Sequence, residues 1–286
     1  MSSPELRFER RGRGPPLLLL HGLGSSLRIW DPVRPLLEAR MDVIALDLPG
    51  HGGSPAPLPQ ASSPRALALA VAAFLDQLGI QTAHLAGSSL GGWLALDLAK
   101  IGRARSVTAL SPAGLWRRRA PTYNVITFYT YRAIAQRLKF ALPYLASNPV
   151  TRTILLWQFF GRPWAMPPAV AMEVSNAFAN ASGFDAILSA TLQERFQDGS
   201  AIDVPVSVAW GGRDVLLLPW LSRFRDELPS YTRWMTLRGC GHVPTFDDPQ
   251  AVANVILGTI CSQNCKIEAI KRSAAPAIDR PSTSEM

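Results

Sequence analysis

The sequence predicts an α/β fold in which a mostly parallel sheet is covered on both faces by helices. Three observations carry that reading. Short, continuous apolar runs recur along the chain, each closed by a turn signal; helical stretches alternate with them; and one long aromatic segment interrupts the alternation. The first run is 17–20, four leucines between Pro15-Pro16 and His21-Gly22. The next is 43–46, ending at Asp47 and Pro49-Gly50, and 84–86 ends at Gly87. Runs 107–110, 206–210 and 232–237 end at Ser111-Pro112, at Gly211-Gly212 and before Gly239. Runs of this kind, apolar on both faces, are expected of strands buried between helix layers. Only 5–11 is available for an earlier strand.

The helices follow the same punctuation. Residues 65–78 are rich in Ala and Leu, with Ser63-Pro64 as the cap and start and Gly79 as the stop. Residues 90–101 follow a strand directly, and 219–228 and 249–261 complete the set, the last with Asp248 at its N-cap. Asp247 and Asp248 are both read as helix-start residues. The alternation stops between 115 and 203, where a mainly helical, aromatic pattern is broken by Pro121, Pro143, Pro149, Pro163, Pro167 and Pro168. The expected organisation is a core of 1–114 and 204–262, a helical lid of 115–203 inserted between two core strands, and a disordered tail of 263–286.

Composition removes several classes. With 48% hydrophobic and 17% charged residues, the 286-residue chain is globular and not disordered. No apolar run approaches the roughly 18–20 residues that span a bilayer, and the N-terminus lacks the apolar core of a secretory signal. Cys240, Cys261 and Cys265 form neither a disulfide framework nor a metal-ligand spacing, so a reduced, cytoplasmic compartment is expected. No metal, nucleotide or flavin motif is present, so no cofactor is expected. Arg outnumbers Lys, but this is not read as nucleic-acid binding. Oligomeric state is silent in the sequence.

The strongest chemical signal is Gly87-Ser88-Ser89-Leu90-Gly91-Gly92, between a strand and a helical stretch. G-x-S-x-G at such a turn is a nucleophile elbow, and Ser89 is its central residue. A serine hydroxyl needs a base. Of four histidines, His21 heads a loop it can brace, His51 lies in a glycine-rich turn, and His84 starts the strand before the elbow. His242, flanked by Gly239 and Gly241, is left as the base. A carboxylate must orient it, and Asp214, in the turn after a later apolar run, is a candidate. Asp47 is expected to organise its own turn.

The chain resembles the α/β-hydrolase fold superfamily over roughly residues 15–262. His21-Gly22-Leu23-Gly24 resembles the oxyanion loop, Asp47 to Ser54 the D-x-x-G-x-G-x-S loop, Trp210-Gly211-Gly212-Arg213-Asp214 the acid loop, and Gly239-Cys240-Gly241-His242 the histidine loop. The resemblance implies the chain order Ser89, Asp214, His242, and backbone N–H groups of Leu23 and Leu90 as the oxyanion hole. Trp93, Trp157 and Phe160 are candidates for substrate contact, although Trp93 fits the core as well. The implied activity is a serine hydrolase cleaving a carboxylic ester, or a related apolar acyl substrate, through an acyl-enzyme. A carbon–carbon bond hydrolase or a cofactor-free perhydrolase would use the same triad. A catalytically silent, ligand-binding member is the reading from another class, and the complete triad argues against it. Relatives that open epoxides or displace halides carry Asp at the elbow, so Ser89 disfavours both.

One further feature is electrostatic. Residues 98–172 hold eleven Lys or Arg and no Asp or Glu, and this +11 exceeds the chain's net +8, leaving the remainder at −3. Three readings arise: a solvated cationic surface, attraction of anionic substrates, or contact with an anionic membrane to which Arg117, Arg118 and Arg119 contribute.

Overall fold

The computed structural model describes residues 5–273, with side chains through Ser262. Its centre is a seven-stranded sheet: β1 (Phe8–Arg11), β2 (Pro16–Leu20), β3 (Asp42–Leu46), β4 (Ala83–Ser88), β5 (Ala104–Leu110), β6 (Val206–Gly211) and β7 (Arg233–Leu237). The order is β1-β3-β2-β4-β5-β6-β7. All neighbours run parallel except β1, which pairs antiparallel with β3 and uses the short early segment that the sequence left for a strand.

The four leucines of β2 show why the runs are apolar throughout. Successive side chains of a strand point to opposite faces. Leu18 and Leu20 join a core with Leu67, Val71 and Leu75 of α2 (Pro64–Gln77) and Leu94 and Leu98 of α3 (Leu90–Lys100). Leu17 and Leu19 join the opposite core with Val252, Ala253 and Ile256. α2 begins as its sequence predicts: the Ser63 side chain accepts from the Ala66 N–H at 3.2 Å, and Pro64 takes the first helical position.

Two helix boundaries differ from the sequence reading. Residues 219–228 form only the single turn α9 (Pro219–Ser222). Arg223 leaves the helix because its guanidinium lies over the Trp210 ring and donates to the carbonyls of Leu217 and Asp214. Phe224 N–H then bonds the Leu115 carbonyl. The last helix, α10 (Pro249–Ser273), runs past Ser262, where a polar tail was expected to start; 274–286 lie outside the described residues. Between β2 and β3 the chain also forms a 3-10 turn (Leu27–Trp30) and the short α1 (Arg34–Glu38), which the sequence reading did not anticipate.

Between β5 and β6 the chain makes α4 (Thr122–Arg137), α5 (Leu142–Ser147), α6 (Pro149–Leu156), α7 (Pro168–Asn180) and α8 (Phe184–Gln193). This insertion has its own apolar clusters, one around Phe178 and Phe184 and one around Leu156, Phe160 and Met166. Among the described residues, no helix is long and apolar enough to cross a membrane.

Candidate active site

Ser89 sits where β4 ends and α3 begins, with φ 54° and ψ −115°. A non-glycine residue held there stores about 1–3 kcal/mol of strain. The flanking glycines make the turn possible: a Cβ at Gly87 would overlap the Gly91 carbonyl, and one at Gly91 would overlap the Leu20 carbonyl. The strained residue is fixed by its N–H bond to the Leu110 carbonyl (2.9 Å) and by its carbonyl accepting from Ala113 N–H (3.1 Å).

Asp214 and His242 come from the loops after β6 and β7, and both are buried. His242 Nδ1 donates to Asp214 Oδ2 at 3.0 Å. The other carboxylate oxygen accepts from Leu216 N–H and Leu217 N–H, each at 3.0 Å, and Arg223 lies 3.8 Å from Oδ2. Burial alone would raise the Asp214 pKa, but the charge and hydrogen bond of His242, the Leu217 N–H and Arg223 together hold it below the usual value. The proton on Nδ1 leaves Nε2 of His242 as a lone pair, and no protein group bonds to it. Ser89 and His242 line one cavity.

The remaining histidines are occupied elsewhere. Leu48 N–H donates to His21 Nε2 at 2.9 Å, so His21 Nδ1 carries the proton and donates to the Gly22 carbonyl at 2.7 Å. His21 thereby fixes the loop that carries Leu23. Burial lowers its pKa to about 4, that of His51 to about 3 and that of His84 to about 4. Asp47 ties its own turn together, accepting from Gly53 N–H and from Leu27 N–H. Cys240 is buried and its thiol is pushed up to about 12, first by burial and then by Asp247 and Asp248, so it is no thiolate.

Leu23 and Leu90 flank Ser89 in the fold. Register pairs Leu20 with Gly87, which brings the loop after β2 beside the elbow, and Leu90 opens α3, where the first N–H groups have no intrahelical acceptor. Two cavities meet at Ser89. The larger is lined by Leu23, Ile29, Phe128, Tyr131, Leu155, Leu156, Phe159, Phe160, Val174, Phe178, Leu216, His242 and Val243 among others. The smaller is lined by Leu23, Leu90, Ala113, Trp116, Asn124, Phe128, Leu188, Thr191, Leu192 and Leu217.

Of the three suggested substrate contacts, Phe160 lines the larger cavity and the other two line neither. Trp93 is buried edge-to-face on Trp116 with ring centroids 5.7 Å apart, on the core side of α3. Trp157 is 48% exposed on the outside of the insertion. None of the eleven basic residues lines either cavity. Arg152 is buried and donates to the carbonyls of Ala146, Pro163 and Trp164, closing helix ends in the insertion. Arg132 donates to the Phe178 and Ala181 carbonyls.

The sequence reading missed one structural device. Asp247 does not start a helix. Its carboxylate accepts from Gly161 N–H (2.7 Å), Arg162 N–H (2.9 Å) and Gly241 N–H (2.8 Å), joining the insertion to the loop that carries His242. Val243 N–H reinforces the seam by donating to the Phe159 carbonyl at 2.7 Å. The backbones pass so closely that a Cβ at Gly161 would overlap the Gly239 carbonyl. Asp248 does cap α10, accepting from Ala251 N–H at 2.9 Å.

Comparison with known proteins agrees with this architecture. The model of the alpha/beta hydrolase family matches residues 17–255. The chain is 33% identical over 204 residues to the epoxide hydrolase EphH of Mycobacterium tuberculosis, covering 65% of this chain and 89% of the relative. It is 28% identical over 261 residues to the putative carbamate hydrolase RutD of Pseudomonas savastanoi pv. phaseolicola, covering 87% and 95%. Among solved structures it superimposes on a bacterial membrane phospholipase A with a TM-score of 0.69 and 25% identity, covering 91% of this chain and 83% of that one. From its sheet, its elbow and a family match across most of its length, the chain belongs to the alpha/beta hydrolase family and is a hydrolase.

Proposed function

We propose that the chain is a serine hydrolase that cleaves carboxylic esters through Ser89, His242 and Asp214. The observation that carries this is a strained serine that lines one cavity with a histidine whose Nε2 has no protein partner, while Asp214 holds its Nδ1 proton. Ser89 Oγ attacks the ester carbonyl carbon as its proton passes to His242 Nε2. The oxyanion is held by the N–H groups of Leu23 and Leu90. Collapse breaks the bond to the alkoxy oxygen, which leaves with the proton from His242. Water, deprotonated by His242, then attacks the acyl-serine, and collapse returns the proton to Ser89 Oγ and frees the acid. The aromatic and aliphatic lining of the larger cavity supports an apolar substrate under the insertion, acting as a lid.

One relative, 33% identical, is an epoxide hydrolase, but the nucleophile argues against that reaction here. A carboxylate that opens an epoxide forms an ester, which water can cleave at its carbonyl. Serine would form an ether, with no carbonyl to attack. Ser89 therefore fits acyl transfer.

A fluorophosphonate probe tests the proposal. The expected result is labelling of the native protein, abolished by Ser89→Ala. A folded, unlabelled protein would mark a silent, binding member instead. Hydrolysis of 4-nitrophenyl esters against a panel of vinylogous diketones then separates ester from carbon–carbon chemistry.

We further propose that the insertion contacts anionic membrane surfaces. Phe140 is 83% and Tyr144 81% exposed, Ile154 and Trp164 are also exposed, and Arg117, Arg118 and Arg119 stand free of carboxylate partners in the ion pairs described. Exposed aromatics with cations suit a headgroup region.

A further inference from the structure

Two residues that line the smaller cavity have polar side-chain atoms without a protein partner. Asn124 is 1% and Thr191 6% exposed, and neither Asn124 Oδ1 nor Thr191 Oγ1 has a hydrogen-bond partner. The amide orientation of Asn124 is fixed, because its Nδ2 donates to the Leu216 carbonyl at 2.6 Å. Oδ1 is therefore an acceptor. Both residues line a cavity whose other walls, such as Trp116, Leu188 and Leu192, are apolar. Buried polar atoms without a protein partner are costly, so a polar group brought into this cavity within reach of Asn124 and Thr191 would gain bonds that an apolar one could not.

The geometry about Ser89 says which part of a substrate arrives there. The carbonyl oxygen points to Leu23 and Leu90, and the leaving oxygen must face His242, which protonates it. The acyl chain takes the third direction. His242 lines the larger cavity and not the smaller, so the alcohol occupies the larger, apolar cavity and the acyl chain the smaller.

We infer that the acyl group is short and bears a hydroxyl, which donates to Asn124 Oδ1 and accepts from the Thr191 hydroxyl. The substrate class is an ester of a small hydroxy acid with an apolar alcohol. This rests on the ester-hydrolase proposal and sharpens it. An unsubstituted acyl chain would leave both polar atoms unpaired in the complex, and sites of that kind discriminate strongly.

The test compares hexyl butyrate with the hexyl esters of 2- and 3-hydroxybutyrate and their methoxy analogues, by pH-stat. Methoxy keeps the inductive effect and removes the donor. The expected kcat/KM for at least one hydroxy ester exceeds both controls by about tenfold or more. Thr191→Val, nearly isosteric and far from the Asp214 loop in sequence, and Asn124→Leu should each bring that ratio toward one. Equal turnover of butyrate and hydroxybutyrate esters in the native protein, or a ratio that survives both variants, overturns the inference while leaving fluorophosphonate labelling intact. Failure of labelling together with failure on every ester sinks the ester-hydrolase proposal itself, and this inference with it.

Discussion

Replacing Asp214 with Asn tests the tautomer argument directly. In the native site Oδ1 takes two backbone N–H groups and Oδ2 takes the His242 Nδ1 proton. An amide has one oxygen and one NH2. The two N–H donors, from Leu216 and Leu217, hold the oxygen on their side, because turning the NH2 toward them would set donor against donor twice. The NH2 then faces His242, which must accept at Nδ1 and carry its proton at Nε2. A protonated Nε2 cannot take the proton of Ser89. Fold and cavity survive, yet the base is lost, and a loss of about 10⁴-fold in kcat is expected, about 5 kcal/mol of barrier. Steady-state hydrolysis of a 4-nitrophenyl ester at neutral pH measures it, with fluorophosphonate labelling falling in step and KM changing little. A folded Asp214→Asn protein that retains activity within about tenfold of the parent would refute the assignment of Asp214 as the orienting acid.

Three further outcomes are expected. Asp247→Ala should strip three backbone N–H groups of their acceptor, destabilising by about 4 kcal/mol and lowering Tm by roughly 10 °C, with kcat reduced because Gly241 is freed beside the base; thermal melts unchanged within a degree or two would contradict the seam. The pKa values of buried His21, His51 and His84 lie below 6.5, so the unfolded chain binds protons more readily; stability should fall as pH drops from about 6.5 toward 4, by on the order of 3 kcal/mol each for His21 and His84, and denaturant titrations showing no loss across that window would disprove it. Co-sedimentation should favour anionic over neutral vesicles, weaken with salt, and weaken again in a Phe140→Ser, Tyr144→Ser double variant; equal binding to both vesicle types rules the membrane contact out.

The sheet and the elbow were readable because each is enforced locally. Gly87 and Gly91 must be glycine for Ser89 to turn, and the leucines of β2 must be apolar on both faces. His242 and Asp214 could be singled out because few residues of the right type follow the right strands. The cavity walls were not readable. Trp93 stands one helical turn from Ser89, but that spacing does not say that its ring turns inward to Trp116. Asn124 meets Leu216 across 92 residues, and Asp247 meets Gly161 across 86. Such contacts depend on how the insertion lies on the core, which no local pattern records. The shortened α9 has the same origin: Arg223 is drawn to Trp210 and Asp214 by tertiary contacts that override helix propensity.

The seam at Asp247 makes the roof and the base one mechanical piece. Because residues 161 and 162 share a carboxylate with Gly241, lifting the roof there would drag the histidine loop away from Asp214. Opening at that edge would switch off the chemistry it admits. On the proposed mechanism, substrate would enter where other parts of the insertion give way, with this edge as the pivot. A variant that loosens the pivot should trade commitment for access: ligands would exchange faster, and a smaller share of binding events would end in bond cleavage.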